Sequence, residues 1–152
     1  MAIRPFTATE VAIANPIIRV MSRVNTWAYR VTGGRLGNKW IHGEPILLLS
    51  VTGRKSGRTL TFPLVYLADG DRIVVVASKG GMDKHPLWYL NLLANPDVEV
   101  QIANDVRRMR ATTADEAERA ELWPKLVALN KDFDDYQART ERKIPVVILS
   151  PR

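Results

Sequence analysis

The chain contains no cysteine and only two histidines, His42 and His85. The first absence excludes a disulfide scaffold, thiolate catalysis, Fe–S clusters and cysteine-bound zinc. The second excludes a histidine-rich metal site, so no metal is expected. Long hydrophobic runs are also missing. Stretches such as Ile46 to Leu49 are strand-sized and far short of a membrane span. Arg4, Glu10 and Arg19 interrupt any signal-peptide core near the N-terminus. Together these features predict a cytoplasmic protein.

What is present is an ordinary globular composition with a basic surplus. The 152 residues hold 22 Lys+Arg against 16 Asp+Glu, a formal charge of +6, and 46 % are apolar. The length predicts a single domain over 1–152, with residues 1–34 as an N-terminal arm and helix. The surplus points to an anionic partner: nucleic acid, a lipid surface or an anionic small molecule. The cations are scattered through turns, and Trp and Tyr do not alternate with them on one strand, which argues against nucleic acid.

The first predicted element is a helix starting at Asn15 and Pro16 and stopped by Gly33-Gly34. Ile17, Val20, Met21, Val24, Trp27, Ala28 and Val31 fall within an arc of about 120°, with Arg19, Arg23 and Arg30 clustered away from it. That face suits weak contact with an anionic membrane, on the inner side of the plasma membrane. The plainer reading packs it on the rest of the fold with its arginines solvated.

Strands are expected at 46–52, 58–67 (with Pro63 marking a bulge or an edge), 73–77, 98–102, 106–112 and 144–149. Helices are expected at 86–94, after a capping box of Thr113 and Glu116, and over 131–141. Pro124 should kink or break the helix that follows the capping box. Short turns, including Asp69-Gly70-Asp71, join four of the strands as hairpins. The expected class is α+β, a small closed or split barrel of about six mainly antiparallel strands with peripheral helices.

Four groups of residues could carry chemistry. Arg54, Lys55, Ser56, Gly57 and Arg58 gather three cations and a hydroxyl in one hairpin turn, where side chains and a backbone nest could grip an anion. Ala77, Ser78, Lys79 and Gly80 follow a buried strand, and glycine there permits close approach of a ligand. Trp88 and Asn91 lie on a short apolar helix, where an aromatic wall competes with simple core packing. Asn130, Phe133 and Tyr136 recur every three residues, and the Tyr136 phenol can donate a proton. His85 reads as a solvent-facing loop residue. Nothing forms a Ser-His-Asp set or a convincing carboxylate pair.

In combination these segments resemble the deazaflavin-dependent nitroreductase family of actinobacteria, split-barrel proteins that use coenzyme F420. The resemblance runs through Met21 to Trp27, Thr52 to Gly57, Ala77 to Gly81, Trp88 to Leu92 with Ala94-Asn95-Pro96, and Glu118 to Pro124. It implies that Arg54, Lys55, Ser56, Gly57 and Arg58 hold the coenzyme's phosphate and acidic tail. Ala77, Ser78, Lys79 and Gly80 would lie along the deazaflavin, bordered by Trp88 and Asn91. Val65, Asn130, Phe133 and Tyr136 would face the acceptor, with Ser78 or Tyr136 as catalytic hydrogen-bond or proton donor. Relatives carry tyrosines where this chain has Val65, Asn130 and Phe133. The implied activity is hydride transfer from reduced F420 to quinones or activated nitroaromatics. The alternatives are an FMN-dependent oxidoreductase of the same fold and a non-catalytic coenzyme- or lipid-binding protein.

Overall fold

The computed structural model describes residues 3–39 and 43–152; His42 lies outside them. Its first helix, α1, spans Ala8–Thr32 and begins two turns earlier than the Asn15–Pro16 start expected from sequence. The reason is local. Thr7 Oγ1 accepts the Glu10 N–H while the Glu10 carboxylate accepts the Thr7 N–H, and Arg4 pairs with the same carboxylate. This capping box outweighs the one hydrogen bond that Pro16 forgoes inside the helix. Gly33, at φ 60, ends α1 in the left-handed conformation.

Six strands follow: β1 Ile46–Thr52, β2 Thr59–Asp69, β3 Arg72–Val76, β4 Asp97–Ile102, β5 Asp105–Thr113 and β6 Val146–Pro151. They pair antiparallel in the order β1-β2-β3-β6-β5-β4, and β1 returns to β4 to close a barrel. Pro63 causes no bulge. It pairs in register with Leu48 of β1, while β3 pairs only with Tyr66–Asp69, so the proline sits on a half-edge where its missing N–H costs nothing.

Alternate residues divide the barrel wall. Leu47, Leu49, Val51, Val75, Val100 and Leu149 point inward, and helix α2, Leu87–Ala94, adds Trp88, Tyr89 and Leu92 to that core. The outward residues Val74, Val76 and Ile148 are covered by Leu122, Leu126 and Phe133 from α3, Glu116–Leu129, and α4, Asp132–Ala138. Thr113 ends β5, so the cap of α3 is Asp115 with Glu118, two residues beyond the expected box. Pro124 does not break α3. Trp123 beside it donates to Asp134 at 2.8 Å and lies under the Arg119 guanidinium at 4.3 Å, which anchors the helix across the proline. α4 ends three residues short of Glu141, and β6 starts two residues beyond Ile144.

α1 leans on β1 and β2 through Tyr29, which is fully buried with Ile46 and Leu48 and accepts the Ala103 N–H at 2.8 Å. The apolar arc is not the packed face. Ile17, Val20, Met21, Val24, Trp27 and Val31 are each 55–66 % exposed. Only Thr26 and Tyr29 of this helix are buried. The plainer expectation, an arc packed on the barrel, is thereby corrected.

A 3-10 turn, Lys79–Gly81, connects β3 to α2 and packs against α4. Gly81 has φ +81, and a Cβ there would lie 2.5 Å from the Tyr136 carbonyl oxygen. At Gly80 a Cβ would meet nothing within 4 Å. Gly81→Ala should therefore destabilise the fold by about 1–3 kcal/mol through overpacking, and Gly80→Ala by clearly less. Denaturant titration of both variants checks this; equal losses would contradict the close approach.

Candidate functional site

The register of the barrel assembles the site. Ile46 pairs with Val65, and the β2–β3 ladder begins one residue later with Tyr66 opposite Val75. The start of β1, the middle of β2 and the end of β3 therefore meet on the outer wall. Ile46, Val65 and Val76 floor a cavity of about 630 Å³ there. The 3-10 turn borders it with Ser78, Lys79 and Gly80, α4 supplies Phe133 and Tyr136, and Asn130 adds to the wall from the link between α3 and α4. Ala14 and Ile18 of α1 complete the wall. Seven of the residues singled out from sequence thus share one cavity: Val65, Ser78, Lys79, Gly80, Asn130, Phe133 and Tyr136.

Their surroundings give them distinct properties. Burial, reinforced by Asp132, raises the pKa of the Tyr136 phenol above its ordinary value, so the group keeps its proton at neutral pH. Burial, with Lys84, Arg142 and Arg19 adding repulsion, lowers the pKa of Lys79. Lys79 also has φ 45, left-handed although it is not glycine. Such strain persists only where neighbouring structure imposes it. Asn130 is buried with its Oδ1 accepting the Asp132 N–H at 3.0 Å, so it caps the approach to α4 as well as lining the cavity. Phe133 is 5 % exposed and stacks edgewise on Tyr136.

The other expected residues lie elsewhere. Ala77 is fully buried within the barrel core, and so is Trp88 apart from 4 % of its surface, which favours packing over an aromatic wall. Asn91 is buried, and its Oδ1 accepts from both the Arg54 backbone N–H and the Arg54 guanidinium, each at 3.1 Å. Asn91 therefore braces the basic turn from α2. In that turn the Gly53, Gly57 and Arg58 N–H groups donate to Arg58 O, Gly53 O and Ser56 Oγ. With Arg54 N–H given to Asn91, little backbone nest remains. The turn instead presents the exposed side chains of Arg54, Lys55, Ser56 and Arg58. Val65 and Thr59 are six residues apart on β2, so the turn stands roughly 20 Å along the strands from the cavity floor.

Two arginines escaped the sequence reading, and a histidine was misplaced by it. Arg139 lines the cavity, its guanidinium 4.7 Å from the Phe6 ring and its Nε–H buried without a hydrogen-bond partner. Arg142 and His85 lie behind the 3-10 turn, and their ring nitrogen and guanidinium meet at 3.0 Å. His85 is half-buried rather than facing solvent. No local motif marks these residues, because their partners are distant in sequence. Among the described residues no cluster of His, Asp or Glu could hold a metal, and no helix is long and apolar enough to cross a membrane.

Comparison with known proteins bears on this arrangement. The family model described as F420H(2)-dependent quinone reductase matches residues 21–151. A Mycobacterium tuberculosis protein provisionally named an F420H(2)-dependent quinone reductase is 48 % identical over 118 residues, covering 78 % of this chain and 99 % of that one. Another, named F420H(2)-dependent quinone reductase without qualification, is 40 % identical over 133 residues, 86 % of this chain and 89 % of its own. The solved structure of an F420-H2 dependent reductase superimposes with a TM-score of 0.66 at 39 % identity, covering 70 % of this chain and 94 % of that one. A structure described as a domain-swapped dimer gives a TM-score of 0.68 at 34 % identity, with 84 % and 96 % coverage. A basic turn and an apolar cavity joined by one barrel wall are thus set in a chain that belongs to the F420H(2)-dependent quinone reductase family.

Proposed function

We propose that the cavity on the outer barrel wall receives the quinone acceptor and that the coenzyme spans from it to the basic turn. The protein is an oxidoreductase that reduces quinones with reduced coenzyme F420. The observation that supports the site is the convergence of Ser78, Lys79 and Tyr136 on one apolar cavity. The residues present fit the coenzyme: an anionic tail calls for a cationic surface, which Arg54, Lys55 and Arg58 provide, and a flat ring calls for an apolar wall beside a glycine-bearing loop. Reduced F420, when bound, supplies a hydride.

The chain's own work is binding, orientation and proton supply. Asn91 holds Arg54 in place, so the turn meets the tail already shaped. Val65, Phe133 and Ile46 exclude water from the reacting face. Tyr136 holds its proton on the phenol oxygen and gives it to the acceptor oxygen that becomes negative as hydride arrives at the quinone. Two electrons, one hydride nucleus and one proton then account for the quinol, and water restores the phenol. Ser78 is the second hydroxyl within the same wall.

Nitroaromatics form a finer part of the reading. Phe133 packs where a phenol would add a donor, so nitro compounds that need that donor are poorer acceptors than quinones. Phe133→Tyr should raise nitroaromatic turnover about tenfold, equal to about 1.4 kcal/mol in barrier, and leave coenzyme affinity within about twofold. Tyr136→Phe should lower quinone turnover at least about tenfold with coenzyme affinity unchanged. Lys55→Ala should weaken coenzyme binding about tenfold and leave saturated turnover intact. Fluorescence titration with the coenzyme, run beside steady-state assays on a quinone panel, separates these effects. Loss of coenzyme affinity in Tyr136→Phe, or none in Lys55→Ala, would overturn the assignment.

The exposed arc of α1 supports peripheral attachment to an anionic membrane, where lipid-soluble quinones dissolve. Its Ile17, Val20, Met21, Val24, Trp27 and Val31 form one exposed surface, and Arg19 and Arg23 are exposed on the same helix. Val24→Glu with Trp27→Glu should abolish co-flotation with anionic vesicles while the wild type floats. Sedimentation of the same samples distinguishes this from self-association, and a wild type that does not float contradicts membrane attachment.

A further inference from the structure

We propose that Arg142 is a positioning residue that holds the loop Ala77–Met82 in its working shape, with neutral His85 as the fifth point of the clamp. The inference rests on the reading that this loop borders coenzyme and acceptor. A guanidinium has five N–H donors, and here all five are used. Nε donates to Met82 O at 3.1 Å and Nη2 to the same oxygen at 2.9 Å. Nη2 also donates to Ser78 O at 2.8 Å, and Nη1 to Ala77 O at 3.1 Å. The remaining Nη1 proton meets His85 Nδ1 at 3.0 Å.

Four of these five bonds end on carbonyls of one loop. That loop carries three successive residues of positive φ, Lys79 at 45°, Gly80 at 63° and Gly81 at 81°. Internally it has the bonds Gly81 N–H to Ser78 O and Met82 N–H to Lys79 O. A strained backbone of this kind needs external bonds to over-determine it, and the guanidinium provides them. Arg142 is itself held. Its N–H donates to Thr140 Oγ1 at 3.1 Å, its carbonyl accepts Gln137 Nε2 at 2.8 Å, and Thr140 Oγ1 donates to Asp83 at 2.9 Å. It is absent from the cavity lining, so it acts through Ser78 and Lys79 and not on a ligand. Lysine, with three donors and no fork, cannot reproduce the set.

The histidine makes the clamp sensitive to acid. Accepting a donor at Nδ1 requires that nitrogen to be unprotonated. Burial and the adjacent Arg142 lower the pKa of His85 from 6.5. Other groups facing it are the Tyr89 ring at 4.9 Å and, around the same groove, Asp115, Glu116, Arg119 and Lys143, with Asp83 and Lys84 on its own loop. Because the folded pKa is lowered, the bond is complete above 6.5 and is lost as pH falls through the folded value.

The test compares wild type, Arg142→Met, Arg142→Lys and His85→Gln. In the free protein, amide exchange at Gly81 and Met82 should accelerate at least about tenfold in Arg142→Met and less in Arg142→Lys. On moving from pH 7.5 to 5, wild-type exchange corrected for intrinsic rate should rise, and His85→Gln, whose amide oxygen accepts at every pH, should lose that rise. Nitrogen NMR should place the His85 midpoint below 6.5, and Arg142→Met should move it upward. Coenzyme affinity should fall about tenfold in Arg142→Met, as it should in Lys79→Ala. Unchanged exchange in Arg142→Met overturns the clamp, and so does a fall in affinity for Lys79→Ala alone. If neither variant alters affinity while exchange accelerates, the placement of the coenzyme beside this loop fails instead.

Discussion

The last strand, β6, is hydrogen-bonded on both sides, to β3 and to β5, and the rest of the structure depends on that insertion. Without it the barrel has two open edges, and β3 has no strand partner on the side away from β2. Its approach also organises the site. Pro145 O accepts the Ala77 N–H at 3.0 Å, so the chain entering β6 grips the chain leaving β3. Just before it, the Ile144 N–H donates to Gln137 Oε1, which also accepts from Arg119. The same few residues that seal the barrel therefore tie α3, α4 and the 3-10 turn together.

A second consequence is the separation of charge from apolar surface. The β1–β2 hairpin carries its cations at one extremity and contributes Ile46 and Val65 to the cavity at the other. An elongated ligand with an anionic tail and a flat head matches this gradient, and a small compact substrate would not use both ends. That no catalytic triad is found among the described residues accords with the same division of labour. The coenzyme carries the hydride, and the proposed site asks of the protein only a protonated phenol, an apolar wall and a shaped turn.

The α1 helix shows how a similar logic extends to the surface. Tyr29 and Thr26 secure it to the barrel, Ala14 and Ile18 close one side of the cavity, and the broad apolar arc is left outward. One element thus borders the outer-wall cavity and presents an apolar face to its surroundings.

Much of the fold was legible locally. The β-branched run 73–76, the hairpin at Gly70 and Asp71 and the Gly33 stop are short-range signals with short-range causes. The Thr7–Glu10 box was equally local, yet Pro16 masked it, because sequence alone cannot weigh a lost hydrogen bond against a well-made cap. Ser78, Lys79, Gly80, Phe133 and Tyr136 could be singled out by residue type and spacing, since a glycine-bearing loop after a strand and a phenol on a helix advertise their chemistry. What only the tertiary structure decided was register and direction: that Ile46 comes level with Val65 and Val76, that Trp88 points into the barrel, that Asn91 is spent on Arg54, and that the arc of α1 faces outward. Periodicity defines a face but not its partner. The Arg142 clamp is the extreme case, because its carbonyl and imidazole partners lie 57 to 65 residues away in the chain, and only barrel closure brings them within hydrogen-bond reach.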